Sequence, residues 1–491
     1  MTEPAQIPDQ AAREAAATTF DRNVVVIAGA GTGKTTLLVN RLLYLLMRRT
    51  DPLDLSRIVA LTFTNKAATE MKLRLRERLR SLVNVEGRDN PAAGSGTVSI
   101  ADLRMRYGWT TDEIVARADA ALRDVEKAQI GTLHSFAAHL LRLYPIEAGV
   151  TPTFQTDEDG SRFEEHFTSE WELWLDGELG AAGSDHGRWR MLLDTFSLDE
   201  LRELAYSLHS DLIDLNGLMQ QVAGTGLNKG LRDWFSLRKA QAERLLARYD
   251  RPKRRKIELM LAAGLGALRS FPRESQELLA KDLGAAPTGW EEDDYEAVES
   301  LQRIAKRLLR VDHELLQNLL ALLAPFVQSV RKSFLDSGWL TFDGLVGKAR
   351  TLLRDHPPIR EQLKRDYRAL LVDEFQDTDP VQYEIVLYLA ERPGTQAGSW
   401  RETELESGKL FIVGDPKQSI YAFRRADIEA FDHVVDRLEG SGALRCELAT
   451  NFRSHAQVLD LVNGVFNRLL VAQPAVQPPN VPLTVQPNRS S

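Results

Sequence analysis

A Gly-rich segment near the start of the chain combines residue types that bind phosphate. Glycines let backbone N–H groups approach an anion closely, and the first turn of a following helix favours negative charge. The segment follows a β-branched run and precedes an amphipathic stretch, as a phosphate-binding loop must. The predicted loop consists of Ala28, Gly29, Ala30, Gly31, Thr32, Gly33, Lys34, Thr35 and Thr36. A Gly-rich turn without a ligand is the alternative, because the strict pattern has Gly where this chain has Ala28.

Two adjacent acids, Asp373 and Glu374, follow a second apolar run. Buried neighbouring carboxylates are destabilising unless a cation or a proton compensates them. A bound Mg²⁺ would supply that charge, with Asp373 and Thr35 as its ligands. Lys34 would then reach the β- and γ-phosphates of ATP, and Glu374 would polarise the attacking water. Taken alone, the acid pair could also be an exposed turn.

The pattern around these residues predicts strands that alternate with helices. Predicted strands cover 24–27, 58–62, 129–132, 369–372, 410–413 and 444–448. Such alternation is typical of a parallel sheet covered by helices on both faces. Between 146 and 340 the pattern changes, because Leu, Ala, Arg and Glu dominate and convincing strands are missing. We therefore predict an α/β fold with a large inserted all-helical domain.

Composition limits the classes of protein to consider. The 491 residues are 43% hydrophobic and 27% charged, which is typical of a soluble globular chain with several domains. No apolar run reaches the roughly 20 residues of a membrane span. Cys446 is the single cysteine, so neither an intrachain disulfide nor a four-cysteine metal site can form. We expect no membrane partner and a cytoplasmic location.

Six blocks of sequence, in this order, resemble the N-terminal part of superfamily 1 DNA helicases of the UvrD/Rep family. They are AGAGTGKTT (28–36), LTFTNKAATEM (61–71), GTLHSF (131–136), LLVDEFQDTDPVQ (370–382), VGDPKQSIYAFRRAD (413–427) and NFRS (451–454). The amino-acid sequences of several blocks are most similar to those of the RecB/AddA branch. The resemblance implies a RecA-like P-loop NTPase fold, and Ala28 is a normal variant in this family. A small-molecule P-loop kinase would not explain these blocks.

The resemblance adds four residues to the ATP site. Gln418 matches a residue that senses the γ-phosphate, and Arg453 matches an arginine that contacts it. Phe452 matches an aromatic that stacks on adenine, and Gln10 could be a glutamine that reads adenine, although its spacing to the loop is long. A guanidinium suits phosphate and an aromatic face suits a purine. Lys34, Glu374, Gln418 and Arg453 are thus the implied catalytic set.

The resemblance also implies a groove for single-stranded DNA, with contacts from Phe63, Asn65, Thr132, His134 and Phe423. Aromatic stacking binds any base, as a translocating motor requires. The net charge of −8, from 62 basic and 70 acidic residues, permits this because the groove is local. A basic run at 238–256 is a candidate contact for duplex phosphates, although a solvated surface would explain it equally well.

The resemblance predicts four regions. Residues 1–145 and 341–440 form the first RecA-like motor lobe, 146–340 the helical insert, and 441–491 the incomplete start of a second lobe. The implied function is ATP-dependent 3′→5′ DNA helicase activity in repair and recombination. The implied partners are single-stranded DNA, its junctions with duplex, and a second helicase–nuclease subunit. ATP is the one small-molecule substrate that the resemblance implies.

Later family motifs are missing from these 491 residues. We therefore expect the chain alone to bind nucleotide weakly, to hydrolyse it slowly if at all, and not to unwind duplex. The alternative function is a motor-lobe fragment that binds ATP and DNA without unwinding.

Overall fold

The computed structural model describes residues 7–84, 98–181, 185–223, 313–419, 428–470 and 480–486, together with Gly183, Arg248, Glu291, Asp294 and Tyr295. The chain forms two compact units. The first comprises Met1–Thr156 and Phe342–Ser491, and the second comprises Asp157–Thr341. None of the described helices has the length and apolar character needed to cross a bilayer.

The first unit is built on a six-stranded sheet. Its strands are β1 (Val24–Ala28), β2 (Ile58–Thr62), β3 (Gln129–Thr132), β6 (Ala369–Val372), β7 (Leu410–Gly414) and β8 (Leu444–Leu448). They lie in the order β3-β2-β6-β7-β1-β8, and every neighbouring pair is parallel. The described residues also form four short strands: β4 (Gln155–Asp157), β5 (Trp339–Thr341), β9 (Thr450–Asn451) and β10 (Thr484–Val485).

Helices connect these strands. In the first unit they are α1 (Gln10–Thr18), α2 (Lys34–Met47), α3 (Asn65–Val83), α4 (Ile100–Tyr107), α5 (Thr111–Asp124), α6 (Leu133–Leu143), α7 (Pro145–Ala148), α13 (Phe342–Asp355), α14 (Pro357–Asp366), α15 (Pro380–Ala390), α16 (Ile428–Gly440) and α17 (Ala456–Leu469). In the described part of the second unit they are α8 (Ser161–Leu179), α9 (His186–Leu193), α10 (Leu198–Ser207), α11 (Leu215–Ala223) and α12 (His313–Asp336).

The parallel arrangement explains why the chemically important segments meet. Strands β1, β2, β6 and β7 are buried along their whole length, as expected for a sheet covered on both faces. All carboxyl ends of parallel strands lie at one edge of the sheet, where ligands bind in open α/β folds. The predicted phosphate loop follows β1, the acid pair follows β6, and the segment with Gln418 follows β7. The α/β fold class with a parallel central sheet is therefore confirmed.

The second unit has a core of its own, rich in aromatic side chains. Phe163, Phe167 and Trp171 of α8 pack with Trp189 and with Phe326 of α12. The ring planes of Phe167 and Phe326 meet edge to face, with centroids 5.6 Å apart. Such pairs contribute beyond their buried area.

The observed boundaries differ from the predicted ones at two places. Residues 146–156 lie in the first unit, because α7 follows α6 directly and packs against α13. Strand β8, predicted in the second lobe, instead pairs with β1 at the edge of the first sheet, with Val24 opposite Leu444. A local pattern identifies a strand, but its neighbour is decided by tertiary packing.

Candidate functional site

The segment after β1 forms a tight turn that ends at the start of α2. Gly31 and Gly33 have φ angles of 71° and 84°, which residues with a Cβ rarely adopt. Gly33 immediately precedes α2, so Lys34 is the first residue of that helix. The buried Thr32 hydroxyl donates to the Gly29 carbonyl oxygen at 2.8 Å and closes the turn from inside. The predicted loop is thus a compact turn at a helix N-terminus.

The tertiary fold brings this loop to the predicted acid pair. Lys34 Nζ lies 2.7 Å from Glu374 Oε2, although the two residues are 340 positions apart. Glu374 has a φ of 49°, an uncommon conformation for a residue with a side chain. Its backbone N–H donates to Asp373 Oδ1 at 3.0 Å, so the two acids are directly coupled. Outlying backbone conformations of this kind cluster at functional sites.

Negative charge exceeds positive charge around Lys34. Burial and then the charge of Glu374 raise the pKa of Asp373 to about 7, although Lys34 opposes the shift. The same two causes raise the pKa of Asp377 to about 6. A cation placed here would lower both pKa values.

The donor set fits Mg²⁺ bound together with a nucleotide. In the described part of the chain no group of three or more His, Cys, Asp or Glu side chains is arranged to bind a metal by itself. Mg²⁺ usually binds through one or two protein oxygens, substrate phosphates and water. The Asp373 carboxylate and the Thr35 hydroxyl would supply such oxygens. These two predicted ligands follow β6 and begin α2, at the same edge of the sheet.

A buried glutamine that the sequence analysis did not single out links the acids to the segment after β7. Gln376 Nε2 donates to Glu374 Oε2 at 3.0 Å and to Asp377 Oδ2 at 3.1 Å. Its Oε1 accepts from the backbone N–H of Asp415 at 2.9 Å. Asp415 Oδ2 in turn accepts from Gln418 Nε2 at 2.7 Å. A continuous hydrogen-bonded path therefore joins Lys34 to the predicted γ-phosphate sensor.

The NFRS block lies against the phosphate loop. Asn451 Nδ2 donates to the Ala30 carbonyl oxygen at 2.7 Å, and the Phe452 N–H donates to the Gly31 carbonyl oxygen at 2.8 Å. A Cβ on Gly31 would lie 2.7 Å from Asn451 Nδ2 and 2.9 Å from Arg453 Cβ, so the approach requires glycine. Phe452 is half-buried beside Gly33, whereas Arg453 is exposed.

Helix α1 contributes two charged groups that sequence reasoning missed. Arg13 Nη1 donates to the Thr32 carbonyl oxygen at 2.6 Å, and the guanidinium lies 4.9 Å from the centre of the Phe452 ring. Arg13 also pairs with Asp9, whose Oδ2 accepts from the backbone N–H of Thr450 at 3.0 Å. Their spacing of four residues at the start of a helix was the available signal.

Gln10, the predicted adenine reader, is the first residue of α1. Its Oε1 is buried and makes no hydrogen bond within the protein. Buried polar atoms nearly always have a partner, and a ligand is one way to supply it.

The predicted DNA residues follow β2 and β3. Thr132 is the N-cap of α6 and accepts from the Ser135 N–H at 3.2 Å. His134 stacks on the partly exposed ring of Phe342 with centroids 3.5 Å apart. Burial lowers the pKa of His134 to about 4, although Asp343 opposes the shift, so the imidazole is neutral near pH 7.

The structure describes only some of the remaining residues that were predicted to contact DNA. Phe63 is half-buried after β2, and Asn65 is exposed at the start of α3. Phe423 lies outside the described residues. Of the basic run at 238–256, only Arg248 is described; it pairs with Glu291 at 2.8 Å and with Asp294 at 3.0 Å.

Known proteins match this chain along most of its length. Residues 9–438 match the family described as the UvrD/REP helicase N-terminal domain. Two similar relatives are named as subunits of an ATP-dependent helicase/nuclease. The protein from Bacillus mycoides (strain KBAB4) is 26% identical over 517 residues, and one from Bacillus cereus (strain ATCC 14579) is 28% identical over 519. Each match covers 91% of this chain and 38% of the relative.

The family match and the site agree in detail. The matched range contains the phosphate loop, the acid pair and the segment after β7, which the hydrogen bonds described above join at one edge of the sheet. The chain therefore belongs to the UvrD/REP helicase N-terminal domain family.

Proposed function

We propose that this chain is the ATP-binding part of a DNA helicase that acts in DNA repair and recombination and moves 3′→5′ on single-stranded DNA. The observation that carries the proposal is the Lys34–Glu374 ion pair of 2.7 Å, surrounded by an excess of carboxylates at the carboxyl edge of a parallel sheet. Without a ligand, such an excess of carboxylates is destabilising. A triphosphate bound with a divalent cation would compensate it. Family membership supports DNA as the polymer on which the motor acts.

Each ATP-site residue has a role in this proposal. Backbone N–H groups of the phosphate loop and Lys34 bind the phosphates, and Thr35 and Asp373 hold Mg²⁺, which neutralises developing charge on the phosphates when bound. Glu374 accepts a proton from the attacking water. Gln418 responds to the γ-phosphate through its hydrogen bond to Asp415. The backbone N–H of Asp415 in turn donates to Gln376.

Three residues near the loop complete the proposed ATP site. Arg453 contacts the γ-phosphate; its Cβ lies beside Gly31 and the residue is exposed, which supports this role. Phe452 stacks on adenine, and its position beside Gly33 and under Arg13 supports this role. Gln10 reads adenine with its buried amide.

The DNA groove is proposed at Phe63, Asn65, Thr132, His134 and Phe423. Thr132 ends β3, and Phe63, Asn65 and His134 follow β2 or β3, at the same sheet edge as the proposed ATP site. Nucleotide state and DNA binding can therefore be coupled through β2 and β6, which are neighbours. Neutral His134 would donate or accept a hydrogen bond instead of pairing with phosphate as a cation. Junctions of single-stranded and duplex DNA are part of the same proposal, as are phosphate contacts from the run at 238–256.

Two further features of the function are proposed from the relatives. Their printed name describes one subunit of a helicase/nuclease, so we propose that the protein partner is a second helicase–nuclease subunit. The location proposed is the cytoplasm, where ATP and DNA are both available to a bacterial-type motor. ATP is the proposed small-molecule substrate.

A second candidate function is binding of ATP and DNA without unwinding. The chain spans about two fifths of the length of the relatives it matches, and this observation favours the second candidate for the 491-residue chain by itself.

ATP hydrolysis with and without single-stranded DNA distinguishes the two candidates. We would compare the wild-type chain with Lys34→Ala and Glu374→Gln, and use Lys127→Ala as a control because that lysine side chain is 77% exposed. DNA-stimulated hydrolysis that both site variants abolish supports the motor. Nucleotide and DNA binding without hydrolysis supports the second candidate. If the wild-type chain binds no nucleotide, both are wrong.

Polarity needs its own measurement. Strand displacement on duplexes with a 3′ or a 5′ single-stranded tail, by the longest natural form of the protein, should require the 3′ tail. Displacement from the 5′ tail alone would contradict the proposed direction.

A further inference from the structure

A short segment far along the chain lies directly on the phosphate loop. We call residues 480–486 the clasp segment. It contains β10, which pairs in parallel with β9, so that Thr484 is opposite Thr450 and Val485 is opposite Asn451. The Thr484 N–H donates to the Ala449 carbonyl oxygen at 2.9 Å, and the Gln486 N–H donates to the Asn451 carbonyl oxygen at 3.2 Å. The clasp segment is thereby attached to the strand that precedes Phe452.

Leu483 of the clasp segment contacts the phosphate loop itself. A Cβ built on Gly29 would lie 2.6 Å from Leu483 Cδ2, which is closer than real Cβ contacts allow. The loop is also held by β9, through the hydrogen bond from Asn451 to the Ala30 carbonyl oxygen. Two consecutive loop residues are therefore contacted from outside, Gly29 by the residue that precedes β10 and Ala30 by β9.

The clasp segment is held in place by two further side chains. Asn463 of α17 donates from Nδ2 to the Leu483 carbonyl oxygen at 2.8 Å and accepts from the Leu483 N–H at 3.0 Å. Lys417, next to Gln418, donates from Nζ to the Val481 carbonyl oxygen at 3.1 Å. These contacts connect the phosphate loop, the NFRS block and the segment after β7.

A Gly-rich loop is costly to order, because glycine loses more conformational freedom than any other residue. Binding is tighter when that ordering is complete before the ligand arrives. Contacts that immobilise the loop before binding should therefore increase affinity for the nucleotide, even though they never touch it.

We propose that the clasp segment is a positioning element for the phosphate loop, with Leu483 and Asn463 as its positioning residues. The inference rests on the proposed function, since it assumes that the loop binds ATP. It adds residues outside the matched family range of 9–438 to the determinants of nucleotide affinity. A clasp segment that only stabilised the fold would change the free energy of unfolding and leave the affinity of the folded protein unchanged.

Calorimetric titration with a non-hydrolysable ATP analogue and Mg²⁺ tests the proposal on the 491-residue chain. Asn463→Ala removes both hydrogen bonds to Leu483, and we expect an affinity roughly tenfold lower from two lost hydrogen bonds. Leu483→Ala should weaken binding by a similar factor. Gln457→Ala is the matched control, because Gln457 is an exposed amide on the same helix and should bind as the wild type does. Urea unfolding of each variant shows whether it is folded under the titration conditions.

A size exchange makes the test specific to the contact. Gly29→Ala alone should lower affinity at least about fivefold, because the new methyl displaces Leu483. In the Leu483→Ala background the space is free. There Gly29→Ala should lower the logarithm of the affinity by less than half as much as it does in the wild type. Equal losses in both backgrounds would show that Leu483 does not act on the loop.

The controls separate this proposal from the proposed function. If the wild-type chain does not bind the analogue, or if Lys34→Ala binds it equally well, the proposed function is wrong and the clasp proposal fails with it. If Lys34→Ala abolishes binding while folded Asn463→Ala and Leu483→Ala bind within twofold of the wild type, only the clasp proposal is wrong.

Discussion

The described residues of the first unit include two clusters of charged side chains that differ in charge balance. The site cluster consists of Lys34, Asp373, Glu374 and Asp377, one cation against three carboxylates. Its ion pair is short, yet two of the carboxyls have pKa values raised by burial and by Glu374. Negative charge in this cluster is therefore only partly compensated by the protein.

The structural cluster consists of Arg360, Lys364, Glu361 and Glu391, two cations and two carboxylates. Glu391 Oε2 lies 2.5 Å from Arg360 Nη2 and 3.2 Å from Lys364 Nζ, and both the Lys364 and the Glu391 side chains are fully buried. Lys364 also pairs with Glu361 at 2.9 Å. The exposed Arg365 also pairs with Glu361, at 2.9 Å, so both carboxylates of the cluster are compensated within the protein.

The difference in charge balance distinguishes a structural cluster of charges from a candidate ligand-binding site. Burial alone does not distinguish them, because each cluster contains a buried carboxylate, Asp373 in one and Glu391 in the other. A balanced cluster stabilises one packing arrangement and is costly to break. An unbalanced cluster is stabilised by an external cation, which here is the proposed Mg²⁺.

The largest expected effect comes from unbalancing the structural cluster. Glu391→Gln removes the carboxylate between two buried cations, and the free energy of unfolding should fall by about 3–5 kcal/mol. Urea denaturation measures the change. Glu404→Gln, at a carboxylate that is 62% exposed, is the control and should change it little. A loss below about 1 kcal/mol would mean that the cluster is not structural.

Removing the cation of the site cluster should instead affect binding. Lys34→Ala is expected to weaken nucleotide binding about a hundredfold, equivalent to about 2.7 kcal/mol, because a buried charge-assisted contact to phosphate is lost. Titration calorimetry with Mg²⁺ and a non-hydrolysable analogue measures it. If Lys34→Ala lowers the free energy of unfolding as much as Glu391→Gln does, the proposed distinction between the two clusters is wrong.

His134 is a third case, a buried titratable group whose charged form is disfavoured. Its pKa of about 4 in the folded chain lies below the ordinary value of 6.5. Protonation therefore favours the unfolded chain as the pH falls from 6.5 towards 4. At pH 5 this group alone should lower stability by about 2 kcal/mol relative to pH 8. Urea denaturation at both pH values should show that His134→Gln makes the loss smaller by that amount; an unchanged pH dependence would contradict the assignment.

The smallest expected effect has the opposite sign to the first. Asp373→Asn removes one of three neighbouring carboxylates, so without Mg²⁺ and nucleotide the chain should become roughly 1 kcal/mol more stable. Thermal unfolding measures the change, and the same variant should lose Mg²⁺-dependent nucleotide affinity. Destabilisation by Asp373→Asn would remove the proposed distinction between the two clusters.

Much of the fold could be predicted because it depends on local patterns. Strands β2, β3, β6 and β8 have the predicted bounds, since short runs between turns and helical segments identify strands. The sequence did not predict the neighbour of β8, because strand order depends on packing that a single run does not encode. The sequence predicted the site residues only as members of separate motifs. Gln376 and Arg13 were missed, because their partners are fixed by through-space contacts.

The sequence by itself determined that this protein has a Gly-rich loop at a helix N-terminus, an acid pair at a strand end and the family to which both belong. Those features follow from residue type, spacing and local hydrogen bonding. Only the tertiary structure decided that Lys34 meets Glu374, that Gln376 joins them to Asp415 and that Leu483 lies on Gly29. Charge balance and pKa are sums over distances in space, and residues 340 positions apart along the chain acquire such distances only when the sheet forms.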